Sequence, residues 1–177
     1  MRIHLGVFES HSGQLVVSDP CYDLGNWGQG VLENVSTGKW NAYVEKIDGG
    51  EWGERCAVVF ALHESLREED EAAWEACDFV VAVDSGQAGI FERTVYRNDD
   101  SVVGETTFDP DDKWYSSCCD LTLTDLGAGV INGGVVSSSG FGDGGYVAFV
   151  ARNSEGKVVG VQIVFITEED LEEEEEV

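Results

Sequence analysis

Asp19, Asp84 and Asp143 are the residues whose type and setting best suit chemistry. Each stands where an apolar run gives way to turn residues: Val17-Ser18-Asp19-Pro20-Cys21-Tyr22, Val83-Asp84-Ser85-Gly86-Gln87-Ala88-Gly89, and Ser138-Ser139-Gly140-Phe141-Gly142-Asp143-Gly144-Gly145-Tyr146. Brought together, three carboxylates would offer oxygen ligands to a hard cation such as Ca²⁺ or Mg²⁺. A water on that cation would support metal-assisted hydrolysis. The residues also have a plainer reading, since an Asp at a strand end commonly accepts hydrogen bonds from amides just downstream, and Asp-Gly is ordinary turn chemistry. Beyond that cation the sequence asks for no cofactor. Asp84, Ser85, Gly86 and Gln87, with Ser139, Gly140, Gly142, Asp143, Gly144 and Tyr146, are the candidate ligand-binding loops, because their glycines let a ligand approach the backbone. They are not a phosphate loop, lacking the Gly-Lys-Ser/Thr ending and a following helix.

Support for nucleophilic catalysis is thin. Ser138 and Ser139 lack the Gly-x-Ser-x-Gly setting. The three histidines, His4, His11 and His63, all lie in the first 63 residues, and a histidine that ends a buried strand usually serves structure. Five cysteines (Cys21, Cys56, Cys77, Cys118, Cys119) include no Cys-x-x-Cys pair, and the vicinal Cys118-Cys119 lacks the ligand set of a zinc site. Free thiols are the better reading. Trp27, Trp52, Trp114 and Tyr115 fall in loop-like, polar surroundings, where they would either mark a binding surface or cover sheet edges.

Charge narrows the partners. The 177 residues carry 35 acids against 10 bases, a formal net of −25. Eight of the acids sit in the last ten residues, which read as a solvated tail, but the imbalance extends through the body. Abundant acid with scarce lysine resembles proteins of salt-loving organisms, whose surfaces need ions to screen self-repulsion. A nucleic-acid partner is excluded on the same ground, for no basic stripe exists to neutralise phosphates. No apolar stretch is long enough for a membrane. Met1-Arg2-Ile3-His4 leads straight into a strand-like segment, which argues against a signal peptide and, with the free thiols, for a reducing cytoplasmic setting.

The elements that must position these residues are mostly strands. Residues 3–9 and 14–18 read as an N-terminal hairpin, and residues 21–38 as a long loop. Residues 39–47, 55–64 and 79–83 read as strands, the second apolar enough to be buried on both faces. Residues 65–76 are the helix expected from a Ser65–Glu68 capping box. Residues 120–124 favour a strand through their Leu-Thr alternation, and residues 128–137 a bulged strand. Residues 146–152 and 157–166 form a closing hairpin around Asn153-Ser154-Glu155-Gly156, in which Gly156 supplies a positive φ. The expected fold is mainly β (α+β by strict count), an antiparallel sandwich or a curved barrel-like sheet with one or two short helices. Residues 1–166 form a single β-rich domain and 167–177 an acidic tail.

The three motifs, in this order and followed by strand, turn and strand, resemble the domain-of-unknown-function family numbered 4241, whose members occur in bacteria, archaea and their viruses. Similar Asp-Pro-x-Tyr, Asp-Ser/Ala-Gly and Ser-Ser-Gly-aromatic-Gly-Asp-Gly-Ser/Gly-Tyr segments precede a terminal hairpin there. The likeness spans residues 17–165, and its third motif is the specific one. Gly145 stands where longer members often have serine, and the middle region is shorter. The resemblance implies a shared fold and a viral or mobile-element origin, and carries no biochemical role. On this footing the chain reads as a small acidic β-protein that binds a protein partner or a small ligand without catalysis. Its alternatives are a metal-assisted hydrolase built on the three aspartates and a structural or decoration protein of a virus particle. Oligomeric state is left open.

Overall fold

The computed structural model describes residues 1–66 and 72–175. Among these described residues, eleven strands form two antiparallel sheets packed face to face. The larger sheet has the order β1-β4-β5-β11-β10-β6, built from β1 (Arg2–Ser10), β4 (Gly38–Asp48), β5 (Glu54–His63), β6 (Glu75–Val83), β10 (Gly144–Arg152) and β11 (Val158–Val164). The smaller has the order β3-β2-β7-β9-β8, built from β2 (Leu15–Ser18), β3 (Gly30–Leu32), β7 (Gln87–Glu92), β8 (Ala128–Ile131) and β9 (Gly134–Ser138). The sheets do not close on each other, so the fold is a sandwich and the barrel alternative falls away.

Alternation builds the core. Trp40, Ala42, Val59, Ala61, Ala148, Val161 and Ile163 from the larger sheet meet Leu15, Val17, Ile90 and Val135 from the smaller, all at most 1 % exposed or fully buried. The smaller sheet is covered on its other face too. There Val16, Phe91 and Val136 pack against Tyr96 and against Trp114 and Cys118 of α1 (Lys113–Thr122). Burial on both faces explains why all six residues of β7 are buried. A second helix, α2 (Glu168–Glu175), follows the last strand. No helix among the described residues is long and apolar enough to cross a membrane.

Several local expectations give way. The N-terminal strands form no hairpin: β1 pairs with β4 in one sheet, while β2 pairs with β3 and β7 in the other. Each half finds its partners through the core, and the Ser10–Gly13 turn becomes a crossing between layers. The helix expected over residues 65–76 lies partly outside the described residues, at 67–71. Where it is described, Glu75 and Ala76 are already strand, paired with Val150 and Phe149. Residues 120–122 belong to helix α1, because Trp114, Cys118 and Leu121 at spacings of four and three meet the outer face of the smaller sheet. Residues 128–137 are a hairpin turned at Asn132-Gly133, with Gly133 at φ +77°. The loop expected at 21–38 contains the short β3.

The acidic tail also begins as a helix. Thr167 Oγ1 accepts from the Asp170 N–H (3.2 Å) while the Asp170 carboxylate accepts from the Thr167 N–H (2.7 Å), a reciprocal cap. The closing hairpin is as expected: β10 pairs with β11, and Gly156 sits at φ +79° in the turn.

Candidate functional site

The three motifs meet at one end of the sandwich because of how the chain changes sheets. Asp84-Ser85-Gly86 is the arch from β6 in the larger sheet to β7 in the smaller. Residues 139–143 form the return arch, from β9 in the smaller sheet to β10 in the larger. Since β6 neighbours β10 and β7 neighbours β9, the two arches lie side by side. Asp19 leaves β2, the other neighbour of β7, directly beneath them.

Asp19 is fully buried, and both its oxygens are engaged. Oδ2 accepts from the backbone N–H groups of Asp84 and Ser85, each at 2.8 Å. Oδ1 accepts from the Cys21 N–H (2.8 Å) and the Ser85 hydroxyl (2.6 Å). The second arch adds its own clasp: Asp143 Oδ1 accepts from the Gly86 N–H (2.9 Å), and the Gly86 carbonyl accepts from the Ser139 N–H (3.0 Å). The Tyr146 hydroxyl lies 2.6 Å from the Gly142 carbonyl and 3.1 Å from that of Ser139, stapling the arch from inside. Gly140 must be glycine twice over, for it holds φ +67° and a Cβ would come within 2.8 Å of Ile166. The Asp84 carboxylate accepts a hydrogen bond from the Tyr22 hydroxyl. Gly144 is the first paired residue of β10, opposite Val83.

Thus Asp19, Asp84, Ser85, Gly86, Ser139, Gly142, Asp143 and Tyr146 form one linked network, as a functional site would require. The network runs from buried Asp19 and Ser139 to Asp84 and Asp143, which are exposed at the surface. Among the described residues no group of three or more His, Cys, Asp or Glu side chains is placed to hold a metal ion. Asp19 accepts from the amide of Cys21 just downstream, as a turn former does, whereas Asp84 accepts from the distant Tyr22 hydroxyl and Asp143 from the distant Gly86 N–H. Gln87 belongs elsewhere: its amide donates to Cys119 Sγ (3.4 Å) and accepts from the Thr122 hydroxyl (3.1 Å), fastening α1 to β7.

Electrostatics follow the same pattern. Burial, then the Asp19 carboxylate, push the Cys21 thiol up to about 12, so at neutral pH it is protonated rather than a thiolate nucleophile. Tyr22 is raised because its hydroxyl donates to the Asp84 carboxylate, which favours the protonated phenol, and burial raises Tyr115 to about 12. Burial also lifts Cys118 well above an ordinary thiol. All five cysteines are free. The histidines have structural partners: His63 bridges Ser65 Oγ and the Thr37 carbonyl, His11 meets Thr94 Oγ1, and His4 meets Asn41.

What the sequence reading missed lies beside the second arch. A groove of about 1060 Å³ runs over the outer face of β10 and β11, walled by Trp52, Phe141, Tyr146, Val147, Phe149 and Phe165. Its rim carries Glu51, Asp170 and Glu173. Trp52 is 59 % exposed and touches Phe141 edge-on, with ring centroids 6.3 Å apart. The signal was present in β10: Tyr146, Ala148 and Val150 face the core, yet the alternate positions Val147 and Phe149 are also apolar where a solvated face would be polar. Of the other loop aromatics, Trp27 is 83 % exposed, whereas Trp114 is a core residue of α1.

Fold and site together define a two-layer antiparallel sandwich whose sheet-switching arches are clasped by motif aspartates. The chain belongs to the family described as Protein of unknown function (DUF4241), whose profile matches residues 8–163 and so takes in all three motifs. Comparison with curated proteins and with solved structures returns no match.

Proposed function

We propose that this protein is a non-enzymatic binding module, and that its groove takes an apolar, positively charged segment of a protein partner. The groove is the observation that carries this reading. It is an exposed aromatic and aliphatic trough of about 1060 Å³ on a sheet face, a kind of patch that marks interaction sites on soluble proteins. Acids form its rim and the chain has a net charge of −25, so a basic segment would be attracted and an acidic one repelled. The motif network supports the groove: the stapled arch holds Phe141 and Tyr146 on its wall. Five free thiols suit a reducing cytoplasmic setting.

Selection from a random peptide library on the immobilised protein tests this. Peptides rich in Lys or Arg with interspersed Leu or aromatic residues should be enriched, and their affinity should fall with salt. Val147→Asp, on the exposed floor of the groove, should abolish their binding, while Asp84→Ala should leave it intact. Enriched peptides that bind the Val147→Asp variant as tightly as wild type would overturn the proposal.

A further inference from the structure

A second cleft, of about 280 Å³, opens on the far side of the molecule between α1, the β8–β9 hairpin and residues 101–106. Val102, Val103, Trp114, Leu121, Val130 and Ile131 give it apolar walls. Two polar atoms of lining residues are buried without any hydrogen-bond partner: the indole Nε1 of Trp114 and the hydroxyl of Thr106. Trp114 is 1 % exposed. The contrast with Trp40, equally buried, is direct, because its indole N–H donates to the Ser36 carbonyl at 3.0 Å. Buried polar groups are almost always paired, and one left unpaired keeps the full cost of its desolvation. Two residues that line one cleft thus each carry a buried polar atom without a partner, a pattern that a ligand would complete.

We propose that this cleft binds a small uncharged molecule whose apolar body lies against Val102, Leu121, Val130 and Ile131 and whose carbonyl oxygen accepts from Trp114 Nε1 and the Thr106 hydroxyl. Size restricts the occupant to about a single ring, since the cleft, at about 280 Å³, falls just below the ~300–1000 Å³ typical of ligand pockets. Charge restricts it further. Glu105 and Asp120 both border the cleft, and hydrogen bonds from Thr107 hold the Asp120 carboxyl below its ordinary range, so an anion would meet fixed negative charge. Because both orphan atoms are buried, residues 103–106 must lift slightly to admit a ligand. That strap is held at its ends, where the Ser101 carbonyl accepts from Asn132 and Thr107 donates to Asp120. Among the described residues its own backbone groups make no hydrogen bond.

The indole resonances of the five tryptophans in a ¹H–¹⁵N spectrum report on this directly. Benzamide should move the Trp114 indole signal saturably and leave those of exposed Trp27 and Trp52 in place. Toluene, which has no acceptor, should bind more weakly, and benzoate should not bind. Thr106→Val should weaken benzamide about three- to ten-fold while leaving the rest of the spectrum unchanged. Trp114→Phe assigns the signal. Should that variant not fold, contacts to the Phe91 and Tyr96 rings, each 5.0 Å from the indole, assign it instead. The proposal is overturned by a Trp114 signal that benzamide does not move, by toluene binding as tightly as benzamide, by Thr106→Val binding unchanged, or by a water on the indole that benzamide fails to displace.

Discussion

At the scale of single residues, buried carboxylates in this protein hold loops together. Glu92 shows the same device as Asp19 at another corner. It is fully buried, and accepts from the N–H groups of Ser12 (2.8 Å) and Thr94 (2.7 Å) and from both their hydroxyls. Burial alone would raise its carboxyl, but those hydrogen bonds together outweigh burial and hold it below its ordinary value. A depressed folded-state pKa means that the ionised group stabilises the fold above its unfolded-state pKa, and that this contribution is lost as pH falls through the folded-state value. Glu92→Gln should therefore cost about 1–3 kcal/mol at neutral pH. In denaturant titrations across a pH series, the gap to wild type should narrow as pH drops through the carboxylate range. A gap that stays constant from neutral to acid pH would show that shape, and not ionisation, carries the effect. The sequence announced Asp19, Asp84 and Asp143 by their turn settings, and all three do join the arch network. It did not announce Glu92, whose partners Ser12 and Thr94 lie on opposite sides of it in the chain and meet only once β2 and β7 pair.

At the scale of elements, legibility tracked how far a residue's partners lie along the chain. The closing hairpin was readable because its turn and both strands are contiguous, and Asn153 caps its own loop by accepting from Glu155 and Lys157. Helix α2 was equally local, with Thr167 and Asp170 spaced as a capping pair, yet the density of acid after them masked that signal. Helix α1 was misread for a different reason. Its apolar stripe is short, and Ser116, Ser117 and Asp120 interrupt it, so Leu-Thr alternation at its end looked like strand. Packing decided the matter: Trp114 wedges between Phe91 and Tyr96, and Gln87 reaches up to Cys119 and Thr122. The N-terminal hairpin failed because nothing in residues 3–18 reveals that their halves belong to opposite layers.

For the whole molecule, the charge imbalance is the feature with widest reach. Few bases are available to offset the acids locally. Lys46, 5 % exposed, is paired with Glu54 at 3.3 Å and donates to the carbonyls of Asp125 and Leu126. Arg97 bridges Asp23 and Asp112. The remaining acids repel one another across a surface that only mobile ions can screen. Raising KCl from dilute buffer to molar concentration should lift the thermal midpoint by ~5 °C or more. A midpoint indifferent to salt would remove the reading of this surface as adapted to high ionic strength. Composition alone supplied that inference, and the sandwich class came from strand count and turn spacing. The groove lay beyond composition, since it exists only where β10, the Trp52 turn and α2 converge.

The clasp beneath the arches also bears on the order in which the chain folds. Asp19 and the amides it holds are 65 and 66 residues apart in sequence, and Asp143 reaches back 57 residues to Gly86. Closing loops of that length costs entropy that these bonds alone do not return, so they can form only after β6, β7, β9 and β10 have brought the arches together. The clasp is thus a late lock. Asp19→Asn, which puts an amide donor among donors, should hasten unfolding while leaving the refolding rate nearly untouched. Stopped-flow traces in which refolding slows and unfolding does not change would place the clasp in the nucleus instead.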